Sequence, residues 1–137
     1  MNTQKIIIHS NSETFEAIAG LEQFAKMYEI PVALIQKINV AIKELLFSIL
    51  GYTSIEQQTT PIELALSLST RGELIIELRY GGTAFNPFLP TNQAVKKQSI
   101  LEGIGSLGLH LVRKCMDSYY YQQENQLNVI SMCKNRV

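Results

Sequence analysis

Two alternating runs in the middle of the chain, "IELALSL" (residues 62–68) and "LIIELRY" (residues 74–80), limit the fold more than any other feature. Ile62, Leu64, Leu66 and Leu68 fall on one face of an extended strand, and Leu74, Ile76, Leu78 and Tyr80 do the same. Arg71 and Gly72 lie between the runs, so they form a hairpin with one apolar face. A sheet of that kind needs a covering layer, and the preceding sequence supplies one. Pro31 fits a helix start, and Leu34, Ile35, Ile38, Ala41, Ile42, Leu45 and Ile49 continue a broad helical stripe to Gly51.

An earlier helix is expected after "KIIIH" (residues 5–9), a short strand. Ser10 stands three residues before Glu13 in capping-box spacing, and Phe15, Ile18, Leu21, Ala25 and Tyr28 recur at helical steps. Residues 81–99, with Pro87 and Pro90, read as loop. "GIGSLGLHLVRKCMD" then opens with glycines and becomes helical, its stripe being either Leu107, Leu111 and Cys115 or Leu109, Val112 and Met116. Tyr119 to Gln123 and Leu127 to Lys134 form a second hairpin about Glu124 and Asn125. This order implies an α+β two-layer sandwich: a mixed, mostly antiparallel sheet with helices on one face, in a single domain spanning 1–137.

Composition excludes several function classes. Twelve basic residues balance twelve acidic ones, which leaves no electrostatic footprint for nucleic acid or an anionic membrane. Apolar runs are far shorter than a membrane span, and the amino terminus lacks a secretory signal's apolar core, so a cytoplasmic location is expected. Cys115 and Cys133 are too few for a disulfide framework and lack metal-ligand spacing; with His9 and His110 far apart, no metal site made of side chains alone is expected.

Three segments remain. "IKELLFSILGYT" puts Glu44 and Ser48 four apart on one helix face; "YGGTAFNPF" follows a strand; "EGIGSLGLHLVRKCMD" runs from a glycine-bearing loop into a helix. On their own, Gly81 and Gly82 would merely turn the chain, and Glu44 would be an ordinary helix-surface residue. In this order the three resemble the boxes of the histidine-kinase-like ATPases, the fold shared by gyrase, Hsp90, histidine kinases and MutL. The closest likeness is to the small anti-sigma regulatory factors that act as serine kinases.

That resemblance implies ATP and Mg²⁺ as ligands of the fold. Glu44 matches the catalytic base of the first box, but Ser48 stands where an Asn coordinates Mg²⁺. Gly82 matches the second box, but Tyr80 stands where an Asp accepts the adenine amino group. Gly105, Leu107 and Gly108 keep a loop through which backbone N–H groups can approach phosphates at a helix start, with Ser106 replacing a common Gly. Ser131 matches a late-strand hydroxyl that supports the adenine site. A neutral hydroxyl is a poor Mg²⁺ ligand, and a phenol on the inward face tends to fill an adenine pocket. The expectation is a regulatory protein-binding domain with a degraded ATP site and no cofactor, whose partner is a sigma factor or a STAS-type antagonist; homodimers are common among such proteins. The alternatives are an active ATP-dependent serine kinase with Glu44 as base, and an oligomerisation module without a small ligand.

Overall fold

The computed structural model describes residues 3–55, 61–81 and 110–135, and the statements below concern those residues. β1 (Thr3–Ile8) leads through a single 3-10 turn (Asn11–Glu13) into α1 (Thr14–Met27), which is followed by α2 (Val32–Ile55). Then come β2 (Ile62–Leu68), β3 (Leu74–Gly81), a helical segment at residues 110–115, β4 (Ser118–Glu124) and β5 (Leu127–Lys134). The strands form one sheet in the order β1-β2-β3-β5-β4, antiparallel at each of its four junctions.

The alternation in β2 and β3 has the expected consequence. Ile62, Leu64 and Leu66 are buried against the helices, as are Leu74, Ile76, Leu78 and Tyr80, while Glu63, Glu77 and Arg79 turn to the opposite face. Register extends that inner face to β5: Leu78 pairs with Ile130, Ile76 with Met132, and Tyr80 with Asn128. Ile35, Ile38, Ala41, Ile42, Leu45, Leu46 and Ile49 of α2 close the same core with Ala17, Leu21, Phe24 and Ala25 of α1. Such burial is the main favourable contribution to folding.

Local chemistry explains the junctions, with some departures from expectation. Glu13 reaches back one residue further than a capping box would: its carboxylate accepts the backbone N–H of His9 at 2.7 Å, and the His9 ring lies 3.0 Å away. Those contacts hold the Glu13 carboxyl below its ordinary pKa. Phe15 does not join the stripe and is 76% exposed; Phe24 fills the core instead. A helical residue two positions from buried Ala17 is turned about 160° away from it. α1 ends at Glu29, which adopts φ 57°, with the Ile30 N–H bonded to the Ala25 carbonyl at 2.9 Å, a Schellman arrangement. Pro31 donates no hydrogen bond, and its carbonyl accepts the Ile35 N–H at the start of α2.

The β2–β3 turn is tied by Ser69, whose Oγ accepts the N–H groups of Arg71 and Glu73. Gly72 there has φ 80°, which Gly adopts without steric cost. In the β4–β5 hairpin both central residues, Asn125 and Gln126, have positive φ (51° and 65°). That is the backbone of a type I′ turn, for which Asn-Gly is the preferred pair. Replacing Gln126 by glycine is therefore expected to raise stability by about 1 kcal/mol, the cost of a left-handed non-glycine residue, measured as an increased midpoint in urea.

Candidate functional site

The central helix is flanked on both sides. At about 100° per residue, Lys37, Glu44 and Ser48 fall on one flank of α2, and Asn39 falls on the other. Asn39 donates to Glu22 of α1 (3.4 Å), while the Cys115 thiol meets the Lys37 carbonyl (3.6 Å). The helical segment 110–115 thus lies beside the flank that carries Glu44 and Ser48. Val112 and Cys115 of this segment and Met116 just after it are buried, so both candidate stripes contribute, and His110 is exposed. Arg113 donates to the Tyr119 hydroxyl (3.1 Å), which ties this segment to β4.

On that flank Glu44 is half-buried. Ser48 is fully buried, and its hydroxyl has no hydrogen-bond partner among the described residues. A helix serine ordinarily bonds back to the preceding turn; this one does not. An unpaired buried hydroxyl costs about 1–3 kcal/mol, so Ser48→Ala is expected to stabilise the fold by about 1 kcal/mol, read from the urea midpoint.

At the end of β3, Tyr80 is 1% exposed and belongs to the hydrophobic core. Its inward direction follows from the parity of Leu74, Ile76 and Leu78. Asn128, directly opposite on β5, is fully buried and spans three groups. Its Nδ2 donates to the carbonyls of Tyr80 (3.2 Å) and Gly81 (3.5 Å), and its Oδ1 accepts a hydrogen bond from the hydroxyl of Tyr121. The polar chemistry beside residue 80 is engaged within the protein.

Ser131 is not part of this group. It pairs with Glu77 and with Tyr120, both on the outer face of the sheet, whereas Tyr80 and Asn128 face the helices. The late-strand residue next to Tyr80 is Asn128, which the sequence reading passed over. Cys133 also faces outward, and burial together with Glu73 pushes its thiol pKa up, which makes it a weak nucleophile. Gly82, Gly105, Leu107 and Gly108 lie outside the described residues. No group of three or more His, Cys, Asp or Glu among the described residues is placed to hold a metal ion, and none of their helices is long and apolar enough to cross a membrane.

The model of the histidine kinase-like ATPase domain matches residues 10–134. The chain belongs to that family. Among solved structures it is similar to one of the SiaB–SiaC complex from Pseudomonas aeruginosa, with a TM-score of 0.65 at 10% sequence identity, over 95% of this chain and 88% of that chain. At that identity the likeness speaks for the fold alone. No curated protein sequence matches the chain.

Proposed function

We propose that this chain is a regulatory protein-binding domain of the anti-sigma kind, which keeps the histidine kinase-like ATPase fold and has lost the nucleotide site. The observation that carries the reading is the side chain of Tyr80. A phenol buried in the core stands where the family places a carboxylate to accept the adenine amino group. A site built to pair with a polar substrate group loses several orders of magnitude in selectivity without its partner. Ser48 adds to this, because one neutral oxygen replaces a carboxamide at the position that would face Mg²⁺. No resident cofactor is part of this reading.

The partner on this reading is a sigma factor or a STAS-type antagonist domain, with a cytoplasmic location. Support comes from the sequence resemblance to anti-sigma factors and from the similar fold found in the SiaB–SiaC complex, a protein–protein assembly. Co-purification of the tagged chain with the sigma factors and STAS-domain proteins of its own genome tests it. One of these is expected to be retained without added nucleotide; retention of none by a folded chain would overturn the proposal.

Glu44 supports a second reading, an active serine kinase, since it keeps the family's base position on the flank beside residues 110–115. That reading requires ATP-dependent phosphorylation of a partner serine, lost in Glu44→Ala.

A further inference from the structure

Resting on the reading of this chain as a protein-binding domain, we propose that the solvent face of α2 receives an amphipathic helix of the protein partner. Apolar residues of that helix bear on Val40 and Phe47, and its acidic residues meet Lys37 and Lys43. A helix packed on one side ordinarily turns charged and polar residues to water. α2 turns out a stripe of a different kind. Val40 and Phe47, each 48% exposed, are seven residues apart. They therefore lie within about 20° of each other around the helix and about 10 Å apart along it. Exposed Lys43 stands between them, and exposed Lys37 lies on the side toward residues 110–115, where Lys114 is exposed as well. None of these lysines has an acidic partner among the described residues. Glu44, the only acid of α2, is half-buried. The chain is neutral as a whole, so the positive stripe is a local excess, offset elsewhere by residues such as Glu16 and Glu22 of α1.

Charge selects the chemistry of the occupant. Exposed apolar residues flanked by unpaired lysines are complementary to apolar residues flanked by Asp or Glu. Shape selects a helix, since Val40, Lys43 and Phe47 follow the three- and four-residue steps of a ridge that fits between the side-chain rows of a second helix. Anchors two turns apart match the i and i+7 positions of such a helix. A second copy of this chain does not fit. Two α2 stripes meeting about a twofold axis would bring like charges together, with no exposed acid on either stripe to offset them.

The protein retained by the tagged chain in co-purification is the probe, and isothermal titration measures its affinity for α2 variants. Lys37→Glu combined with Lys43→Glu is expected to raise the dissociation constant about tenfold or more and to weaken its dependence on salt. Phe47→Ser is expected to raise it about tenfold. Tyr120→Ser removes a comparably exposed ring (55%) from the opposite face of the sheet and should leave affinity unchanged. All four residues are exposed, so the fold should persist, as checked by circular dichroism and the urea midpoint. Exchanging the acidic residues of the partner's contacting helix for lysine should restore binding to the charge-reversed variant. An affinity indifferent to the α2 substitutions in folded variants would overturn the proposal while leaving the chain a protein-binding domain. So would tighter binding after charge reversal, as a basic partner would give. Retention of no protein by a folded chain would remove that reading and the proposal with it.

Discussion

Replacing Tyr80 by alanine is expected to lower the unfolding free energy by about 3–5 kcal/mol, the range for removing a large aromatic side chain from a packed core. Tyr80 is among the largest fully buried side chains, and it lies in the row of the inner sheet face between Ile62 on β2 and Asn128 on β5. The loss combines the apolar transfer free energy with that of the cavity left behind. Urea denaturation monitored by far-ultraviolet circular dichroism measures it. A loss below about 1 kcal/mol, the level of an ordinary surface substitution, would place the ring outside the core and weaken the case against an adenine pocket.

Replacing Asn128 by leucine is expected to cost about 3 kcal/mol, although the two side chains are close in size. The carboxamide serves two main-chain carbonyls and one tyrosine hydroxyl, and each buried polar group deprived of a partner costs about 1–3 kcal/mol. Tyr121→Phe is the control. It removes a single donor from the Asn128 oxygen and should cost less, about 1 kcal/mol. If the two substitutions had equal effects, the contacts to Tyr80 and Gly81 would contribute little.

Much of the architecture was legible in the sequence. The period-two runs gave β2 and β3 their inward face, Tyr80 included, because alternation along a strand is fixed by the backbone. Gly72 and Asn125 marked the two hairpins for a comparable reason, since their residue types suit positive φ. The stripe of α2 was equally plain, since seven apolar positions at helical spacing leave one face for the core. The family, too, was legible from the order of its three boxes.

Other parts were hidden because they depend on register between distant segments. Nothing local to "LNVISMCK" says which residue of β5 lies opposite Tyr80, since the partners are 48 positions apart. Ser131 matched by residue type, yet its odd offset from Asn128 turns it to the outer face. Asn128 was missed because nothing beside it in the chain marks it out within the strand; its role lies in bonds made across the sheet, to the carbonyls of Tyr80 and Gly81. Phe15 misled through composition, as a large apolar residue in helical spacing whose side of α1 faces solvent. At the amino end of α1 the sequence named the capping pair, but the intervening 3-10 turn shifted the acceptor's partner from Ser10 to His9.

Isothermal titration of the wild-type chain with ATP and Mg²⁺ tests the proposed loss of the nucleotide site from a retained family fold. No Mg²⁺-dependent heat of binding is expected at concentrations where an intact site would saturate. Nanomolar or low-micromolar, Mg²⁺-dependent binding of ATP would contradict it, and would require a route for adenine past Tyr80 and a ligand for the metal other than Ser48.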